Sequence, residues 1–464
     1  MLTSLSIENF KSWRSAGPMR LAPITALFGS NSSGKTSLLQ LLLMLKQTTD
    51  SPDRAQPLHL GDDRSLVELG TIPDILFEHD LANLLSWAIA WQLPKALKIS
   101  DPERKSATLF QPDALAFSAT VGWKESSDDS LGRAYVRNME YEFDGQRFGM
   151  RLKSGEKSEY ELYANSAKFK FLRTAGRPWP LPAPAKCYGF PDQVRAYYQN
   201  AGFLSNLELE FENLFSRMFY LGPLREYPQR QYTWAGARPA DMGRRGERVA
   251  DALLAAREQG DYLSRGRGRS RTRLTLEQRV AMWLKDLGLI EHFEIRSIAP
   301  GSNLFQVWVR RAAQAPEVLI TDVGFGVSQI LPVLVLCYYA PEGSTLILEQ
   351  PEIHLHPSVQ AGLAEVFVDA VKTRHIQIIL ESHSEHLLRR LQRCIAEERL
   401  AAKDAALYFV TNSAGESQLE PLQLNSFGEI KNWPAQFFGD DLGDLVAMTE
   451  AAARREAKMN GRNE

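Results

Sequence analysis

Residues 29–36 read GSNSSGKT, which matches the spacing G-x-x-x-x-G-K-[ST]. The chemistry this pattern allows is phosphate binding. Gly29 and Gly34 let the backbone wrap closely around an anion, so that the loop residues Asn31, Ser32, Ser33, Gly34 and Ser37 and the following helix N-terminus face it. Lys35 is then expected to reach the β- and γ-phosphates of a nucleotide, and the Thr36 hydroxyl to hold Mg²⁺. The alternative is a Gly/Ser turn that matches by chance. The flanks oppose it: ITALF (24–28) reads as a strand before the loop, and the Leu-rich run from Thr36 to about Thr48 as a helix after it.

Three further segments belong with this loop. In TLILEQPEIHLHP, an apolar strand at 344–348 is expected to place Glu349 at its carboxyl end beside the phosphate loop, where Glu349 holds the Mg²⁺ shell directly or through water. Pro351 fixes the turn after it. In HIQIILESHSEHLL (375–388), a strand ends at His383, which is either a structural histidine or, since it resembles the switch histidine of ABC-type ATPases, a contact to the γ-phosphate. In TDVGFGVSQI (321–330), a glycine-rich turn leads into Ser328-Gln329 and an apolar helix. That turn is either a plain helix cap or, since it resembles the signature motif of ABC-type ATPases while departing from their Leu-Ser-Gly-Gly order, a second helix N-terminus aimed at the γ-phosphate of a nucleotide held by another subunit.

Gln350 follows Glu349, where ATP hydrolases usually carry the water-polarising glutamate. An amide cannot accept a proton as a general base, but it can orient water. Slow turnover is the expectation. Glu352, His354 and His356 lie just beyond and could assist. A metal site from His354 and His356 needs a strand or irregular loop, and a third ligand is not apparent.

The chain has 464 residues, enough for two or three lobes or one interrupted domain. A net charge of -2 argues against a globally basic nucleic-acid binder and leaves only local patches. The best patch is SRGRGRSRTR (264–273), with Arg265, Arg267, Arg269, Arg271 and Arg273 spaced by small residues. It is either a contact for DNA or RNA phosphates, with steep salt dependence, or a solvated loop between helices. Cys187, Cys337 and Cys394 are distant and odd in number, which fits a reducing cytoplasm. The N-terminus lacks an apolar signal region, and the longest apolar runs are too short to span a bilayer. Arg225 follows an apolar strand-like run and could reach a phosphate, a partner carboxylate or a structural salt bridge. Trp433, Phe437 and Phe438 are expected to pack on the core, and Asp440-Asp441 to form a solvated acidic patch.

Strands and helices alternate at both ends of the chain, with a long insertion between. The fold class is α/β, a mostly parallel sheet flanked by helices with an antiparallel β lobe and a helical insertion. The expected division is an ATPase core from 1–80 and 301–412, a β-rich insertion at 81–200, a helical insertion with the Arg-rich loop at 201–300, and a C-terminal extension at 413–464. Residues 203–220 and 246–290 read as mainly helical, and 406–410 as a strand.

The order of these motifs resembles the ABC-type ATPase heads related to SMC and RecF proteins. It resembles still more closely the bacterial ATPases of the overcoming-lysogenization-defect and Septu PtuA type. IENFKSW near the start, YLGPLREYPQRQY (220–232), ESHSEHLLRRLQRCIA (381–396) and FGEIKNWPAQFF (427–438) look like one branch of that group. The resemblance implies ATP and Mg²⁺ as ligands and a head-to-tail homodimer or higher homo-oligomer. In it, Lys35, Thr36, Glu349 and His383 of one chain face Ser328 of the other. It also implies a sensor or regulator in antiviral defence, working with a separate nuclease or toxin effector. A RecF-like repair ATPase and an ATP-locked scaffold are the rival expectations. Two departures from the group stand out. The insertion is too short and β-rich for SMC arms, and the last residues lack the acidic set of a Toprim nuclease.

Overall fold

The computed structural model describes residues 1–464 except 101–107, 125–131, 154–158, 177–178, 266–271, 435–436, 438–445 and 453–464. Its centre is a six-stranded sheet in the order Met218–Leu221, Thr345–Glu349, Gln377–Glu381, Ile24–Gly29, Ala405–Ser413, Glu416–Pro421. The first five strands are parallel and the last is antiparallel. The central runs TLILE and QIILE are buried at every residue, as expected for parallel strands covered on both faces.

Side-chain alternation divides the two faces. Leu27, Ile347, Ile379, Tyr408 and Val410 pack with helix Lys35–Asp50 and a second, antiparallel sheet. Ala26, Phe28, Leu346, Leu348, Ile378, Leu380 and Phe409 pack with helices Phe325–Tyr339, Pro357–Arg374 and Glu385–Ala396. The antiparallel sheet has seven strands, in the order Tyr160–Asn165, Gln146–Leu152, Arg133–Phe143, Ala114–Lys124, Leu85–Gln92, Leu2–Phe10, Trp13–Arg20. Helix Leu204–Ser216 closes against it through Phe211, whose ring meets Trp91, Phe117, Tyr141 and Tyr188. Helices Val249–Glu258 and Leu276–Asp286, with a small sheet built on His292–Ser297 and Leu304–Arg310, form the remaining lobe.

Several expected elements differ. Residues 203–220 are mainly helical, as Leu204–Ser216, but the run ends in Met218–Leu221, a fully buried edge strand beside Thr345–Glu349. A short, wholly apolar run is compatible with helix or strand by pattern, and here sheet pairing decides. Residues 246–290 are interrupted by a hairpin, Tyr262–Arg265 with Thr272–Thr275. The N-terminal strands belong to the antiparallel sheet, whereas Glu416–Pro421, beyond residue 412, extends the core sheet. The core sheet thus takes strands from both sides of the expected core limits.

These two additions meet at the phosphate loop. Trp13 Nε1–H donates to the Gly34 carbonyl oxygen at 3.0 Å, and Trp13 is fully buried. Ser417 Oγ lies 2.7 Å from both the Ser33 carbonyl oxygen and Ser12 Oγ. The loop glycines follow from this crowding. Gly29 has φ 144° and a Cβ there would stand 2.1 Å from the Val410 carbonyl oxygen; Gly34 has φ 101° and its Cβ would stand 2.3 Å from Ser417 Oγ. Both the backbone conformation and the space therefore require glycine.

Gly29→Ala is expected to cost about 2–4 kcal/mol of folding stability, from left-handed strain plus a collision with backbone that has no flexible end to yield. Equilibrium denaturation in the absence of nucleotide measures it. A change below about 0.5 kcal/mol would mean that the strand separation at Val410 is not fixed as described.

Candidate functional site

The carboxyl ends of the central strands bring the chemistry together. Gly34 precedes helix Lys35–Asp50, and the loop delivers Lys35 and Thr36 to the sheet tip. Lys35 Nζ donates to the carbonyl oxygens of Ser30 at 2.7 Å and Gly29 at 3.1 Å, so the ammonium lies folded over its own loop. Burial lowers the Lys35 pKa, and the charges of Glu381 and Glu352 oppose that shift. Ser32 has φ 58°, which turns the loop between Asn31 and Ser33.

Thr36 does not meet Glu349. Its hydroxyl donates to Glu381 Oε2 at 2.7 Å. The reason is topological: Gln377–Glu381 lies between Ile24–Gly29 and Thr345–Glu349, with Glu381 in register with Leu27 on one side and Glu349 on the other. Glu349 is one strand further from the loop than its sequence position suggests. Its Oε1 accepts from Tyr220 Oη at 3.0 Å. Desolvation, and then the neighbouring Glu381, push the Glu349 carboxyl up to about 7. Burial also raises Glu381, against the Thr36 hydrogen bond and the Lys35 charge.

Glu352 and Arg225 complete the cluster. Glu352 Oε1 accepts from Ser382 Oγ and from the His383 N–H, each at 2.7 Å, and burial raises its pKa. Gln350 has φ 42°, its N–H bonds the Glu381 carbonyl oxygen at 3.0 Å, and its amide also bonds the Glu381 carboxylate. His383 is half-buried, and burial followed by the Lys35 charge lowers its pKa, favouring the neutral imidazole. Arg225 is buried. Its Nη2 lies 3.4 Å from the Glu349 carbonyl oxygen, while Nε and Nη1 meet no acceptor. Desolvation draws its pKa down to about 10.

Glu381, Tyr220 and the burial of Arg225 were not foreseen from sequence. Glu381 had a usable signal, an acid closing a wholly apolar parallel strand. Ser328 is buried in the first turn of helix Phe325–Tyr339. In this chain it lines a small cavity of about 40 Å³ with Tyr227, Gln229 and Leu331, not residues 29–37. His356 is the N-cap of helix Pro357–Arg374, its Nδ1 accepting from the Ser358 N–H at 3.3 Å. Among the described residues, no group of three or more His, Cys, Asp or Glu is placed to hold a metal ion, so His354 and His356 find no third ligand. Phe437 is buried against Phe28 and Phe409, and Trp433 packs on Phe437 and under Arg389. Arg265 and Arg273 fall on the hairpin strands. Arg267, Arg269 and Arg271, like Phe438, Asp440 and Asp441, lie outside the described residues.

The donor set suits a magnesium ion that keeps its own waters and phosphate ligands. Such an ion is usually bound by one or two carboxylates rather than an all-protein cage. Thr36 Oγ1 with Glu381, and Glu349 behind them, offer hard oxygens in a place where burial leaves the carboxylates short of positive charge.

A family model described as AAA domain, putative AbiEii toxin, Type IV TA system matches residues 246–389. A second, described as a protein of unknown function (DUF3696), matches residues 400–448. No curated protein matches the chain. Among solved structures, an SMC head bound to the C-winged helix domain of ScpA is 11% identical, with TM-score 0.46, covering 91% of this chain and 98% of that one. The SMC head domain from Thermotoga maritima is 11% identical with TM-score 0.39, covering 91% and 99%. An SMC head with extended coiled coil, bound to the C-terminal domain of ScpA derived from Pyrococcus furiosus, is 10% identical with TM-score 0.41, covering 91% and 96%. The phosphate loop, its α/β setting and the AAA match define an ATPase-type P-loop core. The matched AAA region holds Ser328, Glu349, Glu352 and His383 but not the phosphate loop. Among the described residues, no helix is long and apolar enough to cross a membrane.

A carboxyl raised from 4.5 to about 7 in the folded state binds its proton more tightly there than in the unfolded chain. Its contribution to stability is therefore present below about pH 4.5 and lost as pH rises through about 7. Glu349→Gln, which still accepts from Tyr220, is expected to stabilise the nucleotide-free protein at about pH 8 by on the order of 1–3 kcal/mol, with little effect near pH 5. Denaturation at both pH values checks this; an equal effect at the two would show that Glu349 is already ionised at the lower.

Proposed function

We propose that the chain is an ATPase subunit that binds Mg·ATP at residues 29–37, hydrolyses it slowly and pairs head-to-tail with a second copy. The observation that carries this reading is the loop itself. Lys35 is folded onto loop carbonyls that a triphosphate would replace as its partner, and the Thr36 hydroxyl is held on Glu381. The N–H groups of the loop and first helical turn take the β- and γ-phosphates. Thr36, Glu381 and Glu349 hold Mg²⁺, which supplies charge neutralisation of the phosphate oxygens. His383, neutral just beyond strand Gln377–Glu381, faces the γ-phosphate, and Ser328 of the second copy closes the site. ATP holds the pair together and hydrolysis releases it.

The wider role is a sensor or regulator in a defence complex with a separate effector. It is supported by the motif order and by the toxin–antitoxin description of the matching AAA model, an association rather than a mechanism. The Arg-rich segment 264–273 would supply contacts to nucleic-acid phosphates, and the salt dependence of binding tests that. One observation favours a second reading, an ATP-locked scaffold. Gln350 stands where a proton acceptor is usual, and its amide is tied to Glu381.

Steady-state phosphate release with Mg·ATP is expected to exceed that of Lys35→Ala by at least about tenfold, with light scattering showing a dimer that decays as ATP is consumed. Release equal to that of Lys35→Ala, with a dimer that persists, would establish the scaffold instead.

A further inference from the structure

We propose that Glu352 accepts the proton of the water that attacks the γ-phosphate, in place of an acid at Gln350. This deepens the ATPase reading and rests on it.

Three carboxylates converge at the tips of the central strands, and their partners separate them. Glu381 receives the Thr36 hydroxyl and the Gln350 amide. Glu349 receives Tyr220 Oη, on the side of the edge strand Met218–Leu221. Both are occupied in ways that suit a cation shell. Glu352 is different. Oε1 is held by Ser382 Oγ and the His383 N–H at 2.7 Å each, whereas Oε2 meets no donor, and the residue is 5% exposed. A buried carboxylate fixed by one oxygen and unengaged at the other keeps acceptor capacity for a proton donor that enters the site with the nucleotide.

The turn that presents it is rigid. The Gln350 N–H bonds the Glu381 carbonyl oxygen at 3.0 Å, and the Ile353 N–H bonds the Gln350 carbonyl oxygen at 3.1 Å. With Gln350 at φ 42°, the chain folds back on itself, and the carboxylate arrives on the His383 side of the sheet tip two residues late. It stands close enough for its charge to act on the Lys35 ammonium. The position that ordinarily carries the acid has become a brace for Glu381, and the acid has moved along the same turn.

In the step itself, the water oxygen bonds the γ-phosphorus while the bond from that phosphorus to the β–γ bridging oxygen breaks. ADP leaves with the electron pair of that bond. The water proton passes to Glu352 Oε2 and then to the released phosphate or to solvent.

Glu352→Gln is the informative variant, because its amide oxygen still accepts from Ser382 and His383. Full-length wild type, Glu352→Gln, Gln350→Glu and the double variant are compared for ATP binding, phosphate release and melting. Glu352→Gln is expected to bind ATP within about threefold of wild type and to lose at least about 100-fold in kcat with little change in KM. The double variant, with a carboxylate restored at position 350, is expected to regain most of that rate. Wild-type kcat in Glu352→Gln overturns the proposal and leaves the ATPase reading standing. A kcat loss accompanied by lost ATP binding or lowered melting, and not restored by Gln350→Glu, overturns it in favour of a bracing role. Wild-type release no higher than that of Lys35→Ala removes the ATPase reading and this proposal together.

Discussion

Five charges, on Lys35, Arg225, Glu349, Glu352 and Glu381, are buried at one end of a sheet whose two faces are otherwise apolar. Taking a charge out of water costs several kcal/mol unless partners are supplied with good geometry. The protein supplies them unevenly. Backbone carbonyls take Lys35, hydroxyls take Glu381 and Glu349, and a serine with a backbone N–H takes one oxygen of Glu352. Arg225 keeps two donors without an acceptor. The carboxylates all shift upward, and Lys35 and Arg225 downward, the pattern of a site in which burial outweighs pairing. A triphosphate and its cation would bring both signs of charge to such a site at once.

The local part of the site was legible in the sequence. Glycine, lysine and threonine at fixed spacing specify a backbone shape and the groups it presents, and no distant residue is needed to read them. The strands Thr345–Glu349 and Gln377–Glu381 were legible for a related reason, since short uninterrupted apolar runs suit strands buried on both faces. Strand neighbours were not legible. Nothing in the run ending at Glu381 says that it sits between Thr345–Glu349 and the phosphate-loop strand, so the hydrogen bond from Thr36 to Glu381 was not foreseen. The pairing of Met218–Leu221 with the sequence-distant Thr345–Glu349 was hidden in the same way, because it leaves no periodicity in either segment.

Arg225 shows a different limit. From sequence Arg225 is open to a phosphate, a partner carboxylate or a structural salt bridge, and its burial was not foreseen, since unpaired arginine is rarely buried. Its depth here follows from the edge strand before it, which carries the chain to the side of Glu349 and leaves the guanidinium among Tyr220, Glu349 and Glu352. His356 is the converse case. A histidine pair near an acidic motif invites a metal assignment, and local capping of the next helix accounts for His356 without one.

The bracing of the phosphate loop also orders events during synthesis. Ile24–Gly29 and the loop leave the ribosome early, yet their sheet neighbours, Gln377–Glu381 and Ala405–Ser413, and the brace Ser417 emerge several hundred residues later. Pairings that distant close slowly and only once the intervening chain exists. A nascent chain therefore displays the complete loop sequence before the neighbours that shape it have been made. Competence to hold nucleotide waits on those distant pairings.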